Sequence, residues 1–474
     1  MKKFVALAMA LALALMTLTA CGGAPASSQP APSSGSGSAE PSEAPDTITL
    51  LLPPVSSTYQ DKLTEWAADF NALYPNLTLE FENASWEDYK QKLDVQVNAG
   101  TPPDIAFLQM DSLAKLVDSG LLLDVGSILS DEQLAEFDAD ALDFYRMNDG
   151  MYGLPIYISV QCLGGNKAMM EEAGIDWKKV QTEGWTFEEF REAIKAGSTD
   201  DHYGFIFACA GVTAADYLNI TVRNAGMPAP FDEDLKYAYT SQNFLELLKC
   251  LRQIIDDGST PKEMGSVDAG KRWNMWLTGQ TMIFGKGLAN FEGLAMENNA
   301  KLQANDGTAV ENSIEAEYVV LPVPTFFGCE QAAQGAPGGY GMFRGKEEPD
   351  PVHQANVLKA LYFMSTGEPA AYTCNELFLP ALSKSAREEL GKIENEMPRS
   401  PENAATMALL GSQSAKPRPD IPADLSAKHT RLMDEVIVPK FQALLAGEVT
   451  PEAMYEAVKQ AAIDTFGEDG VVVD

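Results

Sequence analysis

Apolar and polar positions alternate along this chain in two distinct periods. Residues 47–52 form a short apolar run stopped by Pro53-Pro54, the pattern of a buried strand. Ser57-x-x-Gln60 then offers a capping box, and Leu63, Trp66, Ala67, Phe70 and Leu73 recur on one helical face until Pro75. Leu77, Leu79 and Phe81 alternate with Thr78, Glu80 and Glu82, which predicts a half-buried strand. Ser85-x-x-Asp88 opens a second helix with Trp86, Tyr89, Leu93 and Val97 on its apolar side. Residues 105–108 read as a third strand, and Leu113, Leu116 and Val117 start a helix that Gly120 should end. This alternation predicts an α/β fold with a largely parallel sheet, whose ligands sit beyond the carboxyl ends of the strands.

Helices dominate further on. Thr186-x-x-Glu189 caps one carrying Phe187, Phe190 and Ile194, and residues 244–255, 351–364, 428–446 and 451–466 have helical periodicity; 318–323 is a strand candidate. About 430 residues of this kind suggest two or more lobes at roughly 100 to 200 residues each.

The chain begins with Lys2 and Lys3, an apolar run over 4–20, and then Cys21. That order is a secretory signal, too short to fit a spanning helix of roughly 20 residues. It resembles the bacterial lipoprotein signal, with 1–20 removed and Cys21 lipidated; the alternative is a cleaved, soluble secreted protein. Residues 22–46 are almost wholly Gly, Ala, Ser, Pro and a few acids, a flexible tether in composition. The expected location is the outer face of the cell membrane.

A formal charge of −34 would repel phosphate backbones, so nucleic acid is not an expected partner. The other five cysteines, Cys162, Cys209, Cys250, Cys329 and Cys374, are odd in number and widely spaced. They read as buried apolar residues, or as the thiols of an anaerobic host, rather than as a disulfide framework.

Ordered landmarks identify a resemblance. Gly100-Thr101-Pro102-Pro103-Asp104-Ile105, Gly150-Met151-Tyr152-Gly153-Leu154-Pro155, Asn166-Lys167, Glu172-Ala173-Gly174, Trp185-Thr186-Phe187-Glu188-Glu189-Phe190, Met282, Leu321-Pro322 and Gly338-Gly339 fall in the order seen in family 1 extracellular solute-binding proteins. These are the sugar-binding components of bacterial ABC importers. The resemblance implies a periplasmic-binding-protein-like fold of two α/β lobes, 47–158 with 341–387 and 159–340 with 388–474, and a ligand cleft at the interlobe crossings. It also implies capture of a carbohydrate, an oligosaccharide by preference, delivery to ABC permease subunits by cleft closure, and a monomer; the lipid anchor and the unpaired cysteines point to a Gram-positive or anaerobic bacterium. It calls for no cofactor, metal or catalytic residue.

Within that frame, strand-end loops and crossing residues line the cleft. Sugars present apolar C–H faces to aromatic rings and hydroxyls to polar groups. The candidates are Tyr59, Gln109 and Asp111, the last equally a helix N-cap; Tyr157 and Ser159 at the first crossing; and Gly339 and Tyr340 at the second. Tyr157 and Tyr340 are the stacking candidates, and Gly338-Gly339 the tight-turn formers. One departure stands out: the family's sugar-stacking tryptophan after Met282 is missing from Ile283-Phe284-Gly285-Lys286-Gly287. Phe284 and Phe291 are the candidate replacements, Asn290 could bond a hydroxyl, and Lys286 could signal an acidic sugar or another anionic solute.

The enzymatic alternative finds little chemistry. His202, His353 and His429 are isolated, and no HExxH, G-x-S-x-G or Walker pattern occurs. A lipid-anchored glycoside hydrolase or lyase stays open because two carboxylates suffice for it. A surface adhesin would explain the tether but not the landmarks.

Overall fold

The computed structural model describes residues 44–473 apart from 228, 346–349 and 394–398, and at 111, 212 and 336 the backbone alone. The signal, Cys21 and the tether as far as residue 43 lie outside the described residues. Ten strands are present in this part of the chain: β1 (Asp46–Leu52), β2 (Leu77–Asn83), β3 (Ile105–Phe107), β4 (Arg146–Met147), β5 (Gly150–Met151), β6 (Leu154–Asn166), β7 (Tyr203–Phe207), β8 (Thr281–Gly287), β9 (Tyr318–Leu321) and β10 (Gln334–Met342). Helices α1 (Tyr59–Leu73), α2 (Trp86–Ala99) and α3 (Met110–Asp118) follow the first three strands, as the alternation predicts.

The main sheet runs β2-β1-β3-β10-β6-β8-β7, with β9 also on β6, while β4 and β5 form a separate hairpin. β1 is parallel to β2 and β3, and β7 is parallel to β8. β10 is antiparallel to both β3 and β6. The long strand β6 has two roles: residues 154–161 pair with β10, and residues 162–166 lie against β8 and β9.

Two buried cores divide these elements. One gathers Ile48, Leu50, Leu63, Trp66, Phe70, Ile105, Tyr340 and Leu361 and continues past the crossing strands to Trp276 and Phe284. The other gathers Phe190, Phe205, Phe207, Leu247, Leu251, Ile283, Phe441 and Val458. Each such side chain removed from water stabilises the fold by about 2 kcal/mol.

Local signals explain most helix boundaries. The Ser85 hydroxyl accepts from the Asp88 N–H at 3.1 Å, and Thr186 and Glu189 form a reciprocal capping box. The expected Ser57 box is not formed: α1 starts two residues later, behind Thr58, and no side chain caps it. The expected helix over 428–446 is interrupted. Ala423–Leu432 passes through a π-helical turn, Met433–Ile437, before Val438–Ala446, and Pro439 has no N–H to donate back into that turn. Gly338 and Gly339 lie inside β10 rather than in a turn. The five other cysteines are all free; Cys162, Cys209 and Cys374 are buried, whereas Cys250 and Cys329 are half-buried.

A three-part ion cluster ties the start of the first core together. His353 contacts Asp46 through Nδ1 at 2.9 Å and Asp104 through Nε2 at 3.1 Å, and Asn356 donates to Asp46 at 2.9 Å. Burial disfavours the imidazolium, but hydrogen bonds and charge from Asp104 and Asp46 outweigh it and raise the His353 pKa above 6.5. Burial likewise pushes the Asp46 carboxyl up, but Asn356 and His353 hold it below 3.8. The His353 contribution is complete below about pH 6.5 and is lost as pH rises through its raised pKa; that of Asp46 is complete above about pH 3.8 and is lost as pH falls through its lowered one. The stability difference between the wild-type protein and His353→Gln, followed by urea unfolding against pH, should therefore be largest near pH 5 and shrink on the alkaline side. A pH-independent difference would rule out this linkage.

Candidate functional site

The carboxyl ends of the parallel strands in both cores point at one region. In the first core, β1 leads into residues 53–58, β2 into Ser85 and Trp86, and β3 into Leu108 and Gln109. In the second, β7 leads into residues 208–215 and β8 into residues 288–290. The two sets face each other closely: a side-chain carbon placed on Gly211 would stand 3.3 Å from Glu87 Oε1 of α2. β6 and β10 cross beneath, with Ser159 opposite Ala336 and Gln161 opposite Gln334.

On the first-core side, the most conspicuous side chain is Trp86. It occupies the first position of α2 and is 37 % exposed. Its Nε1–H donates to the Pro54 carbonyl at 2.8 Å, and the ring meets Phe107 edge-on at 5.3 Å. The indole is thus oriented from behind while part of its surface stays open. Ser56 and Tyr372 join hydroxyls at 2.8 Å close by.

The second-core side is polar. Lys286, near the end of β8, pairs with Asp216 at 2.9 Å, both largely shielded from solvent. Arg272 lies underneath, 3 % exposed, donating to the carbonyls of Lys286 at 2.9 Å and Gly285 at 3.4 Å and lying over Phe284 and Phe291 at 5.1 Å each. Burial brings its pKa down to about 10. Lys286 is therefore not a free cation awaiting an anion: its charge is met by Asp216, and Arg272 fixes the backbone that carries it.

The residues named from sequence differ in where the structure puts them. Gln109, Ser159 and Asn290 are half-buried at strand ends or on the crossing, and among the described residues none makes a side-chain hydrogen bond. Asp111 is the second residue of α3, and its side chain lies outside the described residues. Tyr59, Tyr157 and Tyr340 are interior, at 2, 6 and 3 % exposure. Tyr59 meets Trp66 edge-on at 5.9 Å and lies near Tyr340, the Tyr157 ring covers the Cα of Gly338, and Tyr340 meets Phe107 at 6.4 Å. No ring face of Tyr157 or Tyr340 is open here, because this face of the crossing is filled by the helices behind it. Phe291 is half-buried in an aromatic cluster with Trp273 at 4.8 Å and Phe284 at 5.2 Å. Phe284 itself is fully buried, as is Trp276. Gly339 sits at a register shift in β10 and brings its carbonyl to the Leu108 N–H at 2.9 Å, joining β3 to the crossing.

Sequence reasoning passed over Trp86 as a core residue and did not single out Asp216, Arg223 or Gln334. No described helix is long and apolar enough to cross a membrane, and among the described residues no group of three His, Cys, Asp or Glu side chains is placed to hold a metal ion.

The α/β architecture, with strand-end loops opposed over two crossing strands, is that of the periplasmic binding proteins. The chain belongs to the bacterial extracellular solute-binding protein family, whose model matches residues 56–326, more than half its length. A binding protein of Brucella abortus (strain 2308) is 24 % identical over 325 residues, covering 67 % of this chain and 72 % of that protein. The ABC substrate-binding protein Lmo0181 of Listeria monocytogenes, solved with cycloalternan, superposes with a TM-score of 0.67 at 18 % identity, covering 89 % of this chain and 99 % of that one. Maltose-bound MalE3 of T. maritima gives 0.67 at 20 % identity, over 88 % and 98 %. At these identities the likenesses establish a shared fold.

Proposed function

We propose that this protein captures a carbohydrate outside the cytoplasm and delivers it to the permease of an ABC importer. One observation carries the reading: the indole of Trp86 is partly open at the end of β2, and Gln109, Ser159 and Asn290, polar side chains without protein partners among the described residues, stand at other strand ends and on the crossing. An apolar ring beside unpaired hydrogen-bonding groups suits a solute with C–H faces and many hydroxyls. The solutes bound by MalE3 and by the Listeria protein agree with this choice of class.

The two lobes are 47–158 with 341–387 and 159–340 with 388–474, and the first core reaches past the crossing strands into the second of them. Solute engaged from both lobes shifts the population toward the closed form, which the permease then meets. Gln109, Ser159 and Asn290 contact the solute, Asp111 joins them from α3, and Tyr59, Tyr157, Phe291, Gly339 and Tyr340 shape the walls behind. Cys21 carries the lipid, and the segment between it and β1, which ends before Asp46 rather than including it, lets a monomeric body reach the membrane partner.

Titration calorimetry against a glycan panel, with mass spectrometry of the recovered sugar, tests the reading. The expected result is saturable, one-to-one binding with the glycan returned intact. Cleaved product would replace this reading with the lipid-anchored hydrolase or lyase.

A further inference from the structure

We propose that the helix Asp216–Arg223 reads two consecutive units of a neutral oligosaccharide, with Asp216, Asn219 and Arg223 as its specificity-determining residues. This rests on the carbohydrate reading above and goes further by assigning the second-lobe wall, solute charge and minimum length. The helix buries Tyr217, Leu218, Ile220, Thr221 and Val222. Its half-buried positions 216, 219 and 223 are spaced i, i+3 and i+7, so they form one polar stripe along one face.

Each end of that stripe is anchored to an element of the cleft. Asp216 pairs with Lys286 at the end of β8, and Arg223 donates through Nε to Gln334 on crossing strand β10. The stripe therefore runs from the mouth to the floor, a rise of about 10 Å over seven residues, enough for two linked sugar rings. Midway, the Asn219 amide has no protein partner among the described residues. At the floor, Gln161, paired with Gln334 across the two strands, is 8 % exposed and its Oε1 has no hydrogen-bond partner. A buried amide oxygen without a donor is costly, and a solute hydroxyl would satisfy it. The Asp216–Lys286 pair presents an acceptor and a donor side by side with their charges compensated, which matches adjacent hydroxyls better than a carboxylate.

The test measures affinities of the full chain for glucose, glucuronic acid, galactose, maltose, cellobiose, lactose, maltotriose and raffinose, and repeats the best-bound sugar with Asp216→Asn and Asn219→Ala. The expected result is a neutral di- or trisaccharide bound at least tenfold more tightly than its component monosaccharides. Its affinity should fall tenfold or more in Asp216→Asn and about fivefold in Asn219→Ala; without sugar, Asn219→Ala should melt as the wild type does, and Asp216→Asn, which leaves Lys286 without its carboxylate, should melt at a lower temperature while still folded. Full affinity in both variants, equal binding of the component monosaccharide, or preference for glucuronic acid would each overturn the inference while leaving carbohydrate capture standing. Failure of every sugar in the panel to bind would overturn the carbohydrate reading, and this inference with it.

Discussion

Replacing Trp86 by Ala should weaken carbohydrate binding about tenfold or more and destabilise the fold by only about 2 kcal/mol, less than the loss of a fully buried tryptophan. The first part follows from what the indole offers: a flat apolar surface of the kind whose stacking is worth about 1.5 kcal/mol, close to a factor of ten in affinity. The second follows from its place. Trp86 sits in the first turn of α2 and is more than a third exposed, so less packing is lost with it than with a core tryptophan. Its removal ends the hydrogen bond to the Pro54 carbonyl, a group near water that is readily solvated, and the edge contact with Phe107. Calorimetry on the best-bound glycan and a melting curve separate the two effects. Trp86→Phe should recover part of the affinity by restoring a ring without the anchoring N–H. Unchanged affinity in Trp86→Ala would remove this residue from the site and shift stacking to the half-buried ring of Phe291.

That prediction could not be made from the sequence, although the helix carrying Trp86 could. The Ser85-x-x-Asp88 pattern and the spacing of Tyr89 and Leu93 locate α2 well, because a cap and a 3.6-residue period are local properties. The same period assigns Trp86 to the apolar face. The first turn of a helix that follows a strand, however, stands at the edge of the sheet, where the core ends and the cleft begins. Asp216, Asn219 and Arg223 are hidden for the opposite reason: polar residues at i, i+3 and i+7 look like any solvated helix face until another element is brought opposite. Tyr157 and Tyr340 show a third limit. Both lie on the crossing strands, where the family resemblance puts them, but whether a ring on such a strand faces solute or protein depends on distant residues such as Phe107 beside Tyr340 and Gly338 under Tyr157. Lys286 shows a fourth, since the carboxylate that meets its charge is 70 residues earlier, in Asp216.

Gly339→Ala should destabilise the protein by about 3 kcal/mol, through the crossing rather than through any contact with solute. A side-chain carbon there would stand 2.1 Å from the Leu154 carbonyl oxygen and 2.7 Å from the Tyr145 hydroxyl. The nearer atom belongs to the backbone of the paired strand β6, so no side-chain rotation relieves the clash; β10 must move away from β6 at their register shift. That movement would carry the Gly339 carbonyl away from the Leu108 N–H and displace the strand end that precedes Gln109. Affinity for solute should therefore fall together with stability. Gly345→Ala, a few residues on, is the matched control, because nothing lies within 4 Å of a side-chain carbon there. Urea unfolding of the two variants beside the wild type measures the difference. Equal stability of Gly339→Ala and Gly345→Ala would mean that the two crossing strands separate locally at little cost, and the close approach at Gly339 would then be a consequence of lobe closure rather than a fixed feature of the hinge.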